Sequence, residues 1–402
     1  MAGIKALRQI QLAKEATAGT AVYPPTILWR GQGRVQDTTK VIFRDETIGL
    51  LSPYDTTYIP RVGAELRIEG EATFEQLPLL LAGGVKDVVS GVADGGGSGK
   101  VYAYPLPTTA ANTIKTFTAL GGDNEDVETM AFLFAKQITI SGKWGEALKM
   151  SADMTGQQVS AVRGTFTATF VASTKKITAA AGLDIFKTGM TIRVSGTTKN
   201  DGVYTVATGG VAGEIITTED LQDESSVSNT LIRLEFTTIA IPTVEEILFA
   251  NGKLYLDAVG GSFGGTLTSQ TLLDMNVTIK PGWQWIEAAN GALYPSAIKC
   301  TPWEMIVQMT YEHNTSSIAE KANWRAQTAR KLRLLFEGSA LTTAGSYSKK
   351  TLVMDLAGKW TAFDPLGDQN GNDVVAGTFK VAYDPTASTS GTITVVNQLA
   401  SF

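Results

Sequence analysis

From residue 273 to 280 the chain reads LDMNVTIK, and its apolar and polar residues alternate without a break. Leu273, Met275, Val277 and Ile279 fall on one side, while Asp274, Asn276, Thr278 and Lys280 fall on the other. A strict period of two sends these sets to opposite faces of a pleated strand and leaves no apolar stripe for a helix.

The same pattern recurs along most of the chain. Leu66 and Ile68 alternate with Glu65, Arg67 and Glu69. KQITISGKWGEALKMSADM predicts a hairpin: Ile138 and Ile140 share a face, Gly142 to Gly145 turn the chain, and Leu148, Met150, Ala152 and Met154 return. Met305, Val307, Met309 and Tyr311 follow, then Leu332, Leu334 and Phe336, then Leu352, Met354 and Leu356. Phe379, Val381 and Tyr383 and a final TITVV complete the series. So many half-buried strands predict a mainly β fold, an antiparallel sandwich or barrel.

Only two segments carry helix signals. TFEQLPLLLAGG has Thr73 and Gln76 in capping-box spacing and stops at Gly83-Gly84. In SSIAEKANWRAQTAR, Ser317 and Glu320 have the same spacing, and Ile318, Ala322, Ala326 and Ala329 form an apolar stripe that should face the sheet, with Lys321 and Arg325 outward.

From Arg163 to about Thr238 the texture changes to short Thr/Val strands with glycine turns, as in RVSGTTKNDGVYTV, where Asn200, Asp201 and Gly202 tolerate positive φ. This predicts a small inserted β domain, residues 163–238, in a discontinuous host of 26–162 and 239–402, preceded by an arm, 1–25. The arm contains Tyr23, Pro24 and Pro25; two prolines favour an extended segment that can lie across a neighbour at low entropic cost. FRDETIGLLSPYDTTYIPR is too long for a tight turn and puts Leu50, Leu51, Tyr54, Tyr58 and Ile59 on a projection.

Composition narrows the chemistry. With 402 residues, 43% hydrophobic and 18% charged, the chain can bury a large core. A formal net charge of −5 and no long Lys/Arg run argue against sequence-reading of DNA. One cysteine, Cys300, allows no intramolecular disulfide and reads as structural. The first residues lack the apolar core of an export signal, and no long apolar run predicts a membrane span.

Catalytic and ligand motifs are incomplete. Gly260 to Gly264 matches G-x-S-x-G around Ser262, with Asp274 and His313 downstream, but the flanks read as strand and turn instead of strand, elbow and helix. His313 is the only histidine, so it reads as a polar residue ending a strand, with no His-rich metal site possible. DGGGSGKV has Asp94 and Val101 where a phosphate loop needs Gly and Ser or Thr, and reads as a flexible exposed loop. DQNGND has Asp373 and Phe379 where a calcium loop needs Gly and Glu, and reads as a turn. Asp123, Glu125, Asp126 and Glu128 read as a solvated loop. Trp283 and Trp285 share a strand face and point to core or subunit contact. No catalytic residue, cofactor or metal is expected.

LAKEATAGTAVYPPT, residues 12–26, resembles the opening of tail tube proteins of tailed bacteriophages, of the siphophage type, where a kE…GT…p stretch precedes the first strands. FAKQITISGKWGEALKMSADMTGQ and SSIAEKANWRAQTARKLRLLF are similar to the same family. The resemblance implies a β-sandwich with a flanking helix, hexameric rings stacked into a tube that conducts double-stranded DNA, and tail terminator, tape measure and tail tip proteins as partners. It implies a virion tail protein assembled in the host cytoplasm. Tyr23, Pro24, Pro25, Leu50, Leu51, Tyr54, Tyr58 and Ile59 are then the expected subunit contacts. The insert departs from a minimal tube protein and resembles small decorations of virion proteins. Another virion part, a decoration or baseplate protein, or a carbohydrate-binding adhesin module remains as an alternative.

Overall fold

The computed structural model describes residues 3–51, 54, 56–268 and 272–402. Antiparallel strands dominate it, with two α-helices, as the alternation predicts. The central array runs Gln32–Asp37, Ala64–Glu71, Lys149–Gly156, Val127–Lys143, Leu272–Lys280, Glu304–Glu312, Asn372–Val381, Lys349–Phe363, Arg330–Ala340 and Gly252–Ala258, each hydrogen-bonded to the next. The predicted inward residues are inward: Leu66, Ile68, Ile138, Ile140, Met275, Val277, Ile279, Met305, Val307 and Met309 are buried in one core. Two are not: Tyr383 lies beyond its strand's end at Val381 and is exposed, and Leu273 is only half-buried where the register shifts between Leu272 and Asp274.

The hairpin forms with its expected faces, Ile138 opposite Ala152 and Ile140 opposite Met150, but the turn expected from Gly142 to Gly145 starts later: Gly142 and Lys143 still belong to the strand, and the chain reverses over residues 144–146. Its first strand is 17 residues long and serves two layers, pairing with Phe117–Gly122 through one half and with Leu272–Lys280 through the other. It bends where the register shifts between Met130 and Leu133, and Phe132 there has φ of 58°. Bulges of this kind let one strand turn between layers.

Residues 163–234 form a separate closed barrel of six strands, in the order Arg163–Val171, Lys176–Thr178, Glu214–Thr217, Gly202–Val211, Thr191–Ser195 and Glu224–Leu234. It has its own core, including Phe170, Phe186, Ile192 and Ile232, to which Leu120 and Val127 of the large array also contribute. The barrel's entering and leaving strands are adjacent, the Leu234 amide donating to the Val162 carbonyl at 2.7 Å. The turn expected around Asn200, Asp201 and Gly202 takes its positive φ at Gly196 instead. Asn200 is buried, and its side chain ties the turn to Gln222 and Glu224.

The first helix, α1, spans Leu77–Gly84 and is buried over its whole length, with the Thr73 hydroxyl accepting from the Gln76 amide at 3.1 Å. The second, α2, spans Thr315–Arg325 and corrects the expected stripe. Its cap is Asn314, which accepts from the Ser316 and Ser317 amides, while Ser317 rather than Glu320 completes the box. Ile318, Ala322 and Ala326 are exposed, and Ser317 and Glu320 are buried. The polar face wins because Glu320 meets Arg330 in a two-point ion pair, at 2.7 and 3.1 Å, and accepts from the Trp360 indole at 2.8 Å. With the face reversed, the largely buried Arg330 guanidinium and the Trp360 indole would lose their acceptor, and stranding one partner of a buried pair costs several kcal/mol, about 3–5.

Candidate assembly surface

The projection expected after residue 43 is a two-stranded ribbon, Lys40–Phe43 against Thr57–Arg61, that shares no ladder with the large array. Its neck is closed by the Thr38 amide donating to Gly63 O at 3.0 Å. A second ribbon, Trp283–Ile286 with Ala297–Cys300, braces the base: Arg61 pairs with Glu287 at 2.8 Å, and the Val62 amide donates to Leu293 O at 3.0 Å. Beyond the base, Leu50, Leu51, Tyr54, Tyr58 and Ile59 are all exposed, Leu51 fully so. Ser52, Pro53 and Asp55 of this projection lie outside the described residues.

Two contributors to this surface escaped sequence reading. Val41 and Phe43 are 52% and 62% exposed, and Phe43 meets Tyr54 edge-on with ring centroids 6.1 Å apart. The signal was the KVIF run, a β-branched and aromatic stretch that reads as core until its strand partner is known. A two-stranded ribbon with apolar side chains open to water is marginal alone, and exposed apolar patches are in general where proteins meet partners.

The other predicted contacts go elsewhere. Residues 9–14, the middle of the expected arm, form a strand paired with Phe117–Gly122, and Leu12 and Ala13 are buried in the large array. Pro25 is buried, and Tyr23 packs against the small barrel's core with its hydroxyl 2.8 Å from Thr129 Oγ1. Burial of Tyr23 raises its hydroxyl pKa above the ordinary value. Pro24 follows Tyr23 through a cis bond and is exposed. The arm is thus docked on its own chain, against the large array and the small barrel; its exposed runs are residues 3–9, 16–18 and 20–21. Ile10 and Leu12, alternating with Gln9 and Gln11, carried the strand signal.

The catalytic candidates do not converge. Ser262 sits exposed in the turn between Gly252–Ala258 and Leu267–Thr268, a loop closed by Asp257 Oδ2, which accepts from the Gly264 and Gly265 amides. Asp274 accepts from the Thr310 hydroxyl, and the His313 amide donates to Asp373 O. Buried Nδ1 of His313 has no hydrogen-bond partner among the described residues.

The glycine loop after Asp94 is not free: Asp94 is buried and accepts from the Tyr347 amide at 2.8 Å and the Ser346 amide at 3.1 Å. Those amides hold its carboxyl below the usual range, the Tyr347 bond first. Asn370 and Gly371, both at positive φ, make the two-residue hairpin turn between Gln369 and Asn372. Asp123 accepts from the Glu125 and Asp126 amides, and no group of three metal-ligating side chains occurs among the described residues. Cys300, expected to be structural, is exposed. Trp285 is buried against Phe132 and Phe134, and Trp283 donates to Gly84 O at 2.9 Å, so this pair is core.

Hollows also mark the surface. An apolar one beside Trp283 and Trp303 holds about 10 Å³, room for about one water. Another is an open cleft of about 2230 Å³ between the Gln32–Asp37 edge and the small barrel. Much of its charge is already paired, Arg193 with Glu235 and Arg67 with Asp153 and Glu69. No helix among the described residues is long and apolar enough to cross a membrane. The chain matches no protein-family model and no curated protein.

Proposed function

We propose that this protein is a structural subunit of a bacteriophage tail tube, of the non-catalytic kind that the N-terminal resemblance suggests. Copies assemble into rings, six to a ring, and the rings stack into a channel for double-stranded DNA. The observation that carries this reading is the ribbon: an apolar two-stranded projection, braced at its base and joined to no other sheet among the described residues, belongs to a protein completed by other copies.

Charge supports the reading. A net charge of −5 per chain gives about −30 per ring of six, so a passing duplex meets little overall attraction. The tail-tube type of sandwich, the virion location, assembly in the host cytoplasm, and terminator, tape measure and tip partners belong to the same proposal. The test is electron microscopy of the purified chain over a concentration series. Stacked rings with a central channel are expected; a persistent monomer, or closed dimers without a channel, overturns the proposal.

A further inference from the structure

The ribbon sits at one end of the large array, and the opposite end carries an exposed aromatic. Strand Ala64–Glu71 pairs with Lys149–Gly156 so that Ala64 faces Gly156 and Glu71 faces Lys149. The ribbon's neck closes at Gly63, beside the first pair, and the hairpin turn that precedes Lys149 lies beside the second. Eight residues at ~3.3 Å each separate the two ends by roughly 25 Å. On that turn stands Trp144, at 74% the most exposed aromatic side chain among the described residues.

The turn is built to hold this ring outward. Glu146 bridges Lys143 and Lys149, both at 3.1 Å, and the Phe249 amide donates to Glu146 O, laying residues 246–249 along the turn. Leu248, bridged to Ala147, is exposed beside it. The anchored backbone fixes where the ring starts from, and a tryptophan, with two side-chain torsions to immobilise, is the type of side chain that anchors interfaces.

We propose that the Trp144 turn of one copy docks on the Phe43, Leu51 and Tyr54 surface of the ribbon of a second copy. This rests on the reading of the protein as a self-assembling subunit and specifies the contact. The two apolar features lie at opposite ends of the same strands, so copies related by translation along the strands bring turn to ribbon. Such a heterologous contact leaves one free turn and one free ribbon at the ends and repeats without limit. Ribbon against ribbon, by contrast, closes at two copies and leaves Trp144 in water. A stable contact needs about 1,000 Å² in total; Trp144, Phe43 and Tyr54, aromatic side chains of roughly 150–250 Å² each, supply up to about half of it, and the rest must come from Leu51, Leu248 and the flanking backbone.

The test places a photo-crosslinker in the full chain as Trp144→p-benzoylphenylalanine and mixes isotopically light and heavy protein before irradiation. Mixed-isotope cross-links to residues 40–61 are expected. Cross-links confined to other segments, or none between copies, overturn the contact. Electron microscopy of the same samples separates this from the tube reading. Ribbon cross-links without rings keep the contact and remove the tube; stacked rings with cross-links elsewhere keep the tube and remove the contact. As a second measure, Trp144→Glu and Phe43→Glu should each stop growth alone, while an equimolar mixture joins once and stops. Continued growth of Trp144→Glu alone also overturns the contact.

Discussion

Glu15 Oε1 accepts a hydrogen bond from the Phe132 amide at 2.8 Å, across 117 positions of sequence. Phe132 is the positive-φ residue at which the longest strand bends from one layer into the other. The same carboxylate, buried, also accepts from the Gly19 amide and the Thr116 and Thr118 hydroxyls, so the bend and the start of the chain are fixed by one group. Glu15→Ala leaves two amides without an acceptor, and each unsatisfied buried donor costs about 1–3 kcal/mol. The expected loss in a denaturant titration is therefore about 2–6 kcal/mol; a loss below about 0.5 kcal/mol, the range of ordinary surface changes, would remove Glu15 from this role.

The strand formed by Gln9–Lys14 changes what a truncation reports. Removing residues 1–8 takes away mainly exposed side chains and should leave thermal unfolding nearly unchanged. Removal of 1–25 strips the strand paired with Phe117–Gly122, deletes Glu15 and uncovers the core under Leu12. That protein should be insoluble or lack a cooperative transition. A sharp transition at the full-length temperature would show that the strand contributes nothing.

The ribbon should behave oppositely. Leu51→Glu and Phe43→Glu alter side chains that face water, so stability should stay within about 0.5 kcal/mol of the parent. Association should weaken, read as a fall in weight-average mass by sedimentation. Unchanged mass in both variants, at concentrations where the parent associates, counts against the ribbon as an assembly surface.

Because the small barrel closes on itself, it should fold when excised. Residues 163–234 expressed alone are expected to give a cooperative melt, and the host with a short Gly/Ser bridge from 162 to 235 should also fold. The host should be weaker, since Leu120 and Val127 lose their cover and fully burying such a side chain contributes about 1.5–3 kcal/mol. Failure of both halves to fold would mean that neither core is sufficient alone.

Alternation made most of the β architecture legible, because strands with one wet face write their geometry into the sequence at period two. The inward faces of the hairpin, Ile138 and Ile140 on one strand and Met150 and Ala152 on the other, could be read for that reason, whereas its turn, expected to begin at Gly142, starts only after Lys143. Where polar groups make the decisive contacts the reading failed. Glu320 turns its helix face inward through Arg330 and Trp360, and Glu15 holds down a segment that two prolines made look free. Partners this distant in sequence leave no local pattern. Trp144 was passed over as one residue in a glycine-flanked turn, since only the fold shows which turns end in water.

The bond from the Leu234 amide to the Val162 carbonyl puts the small barrel's entrance and exit side by side. A graft at that point asks of its cargo only that its own termini be adjacent, as they are in many small domains. Enzymes, epitopes or binding modules of that kind could replace residues 163–234, which makes this junction a ready display position.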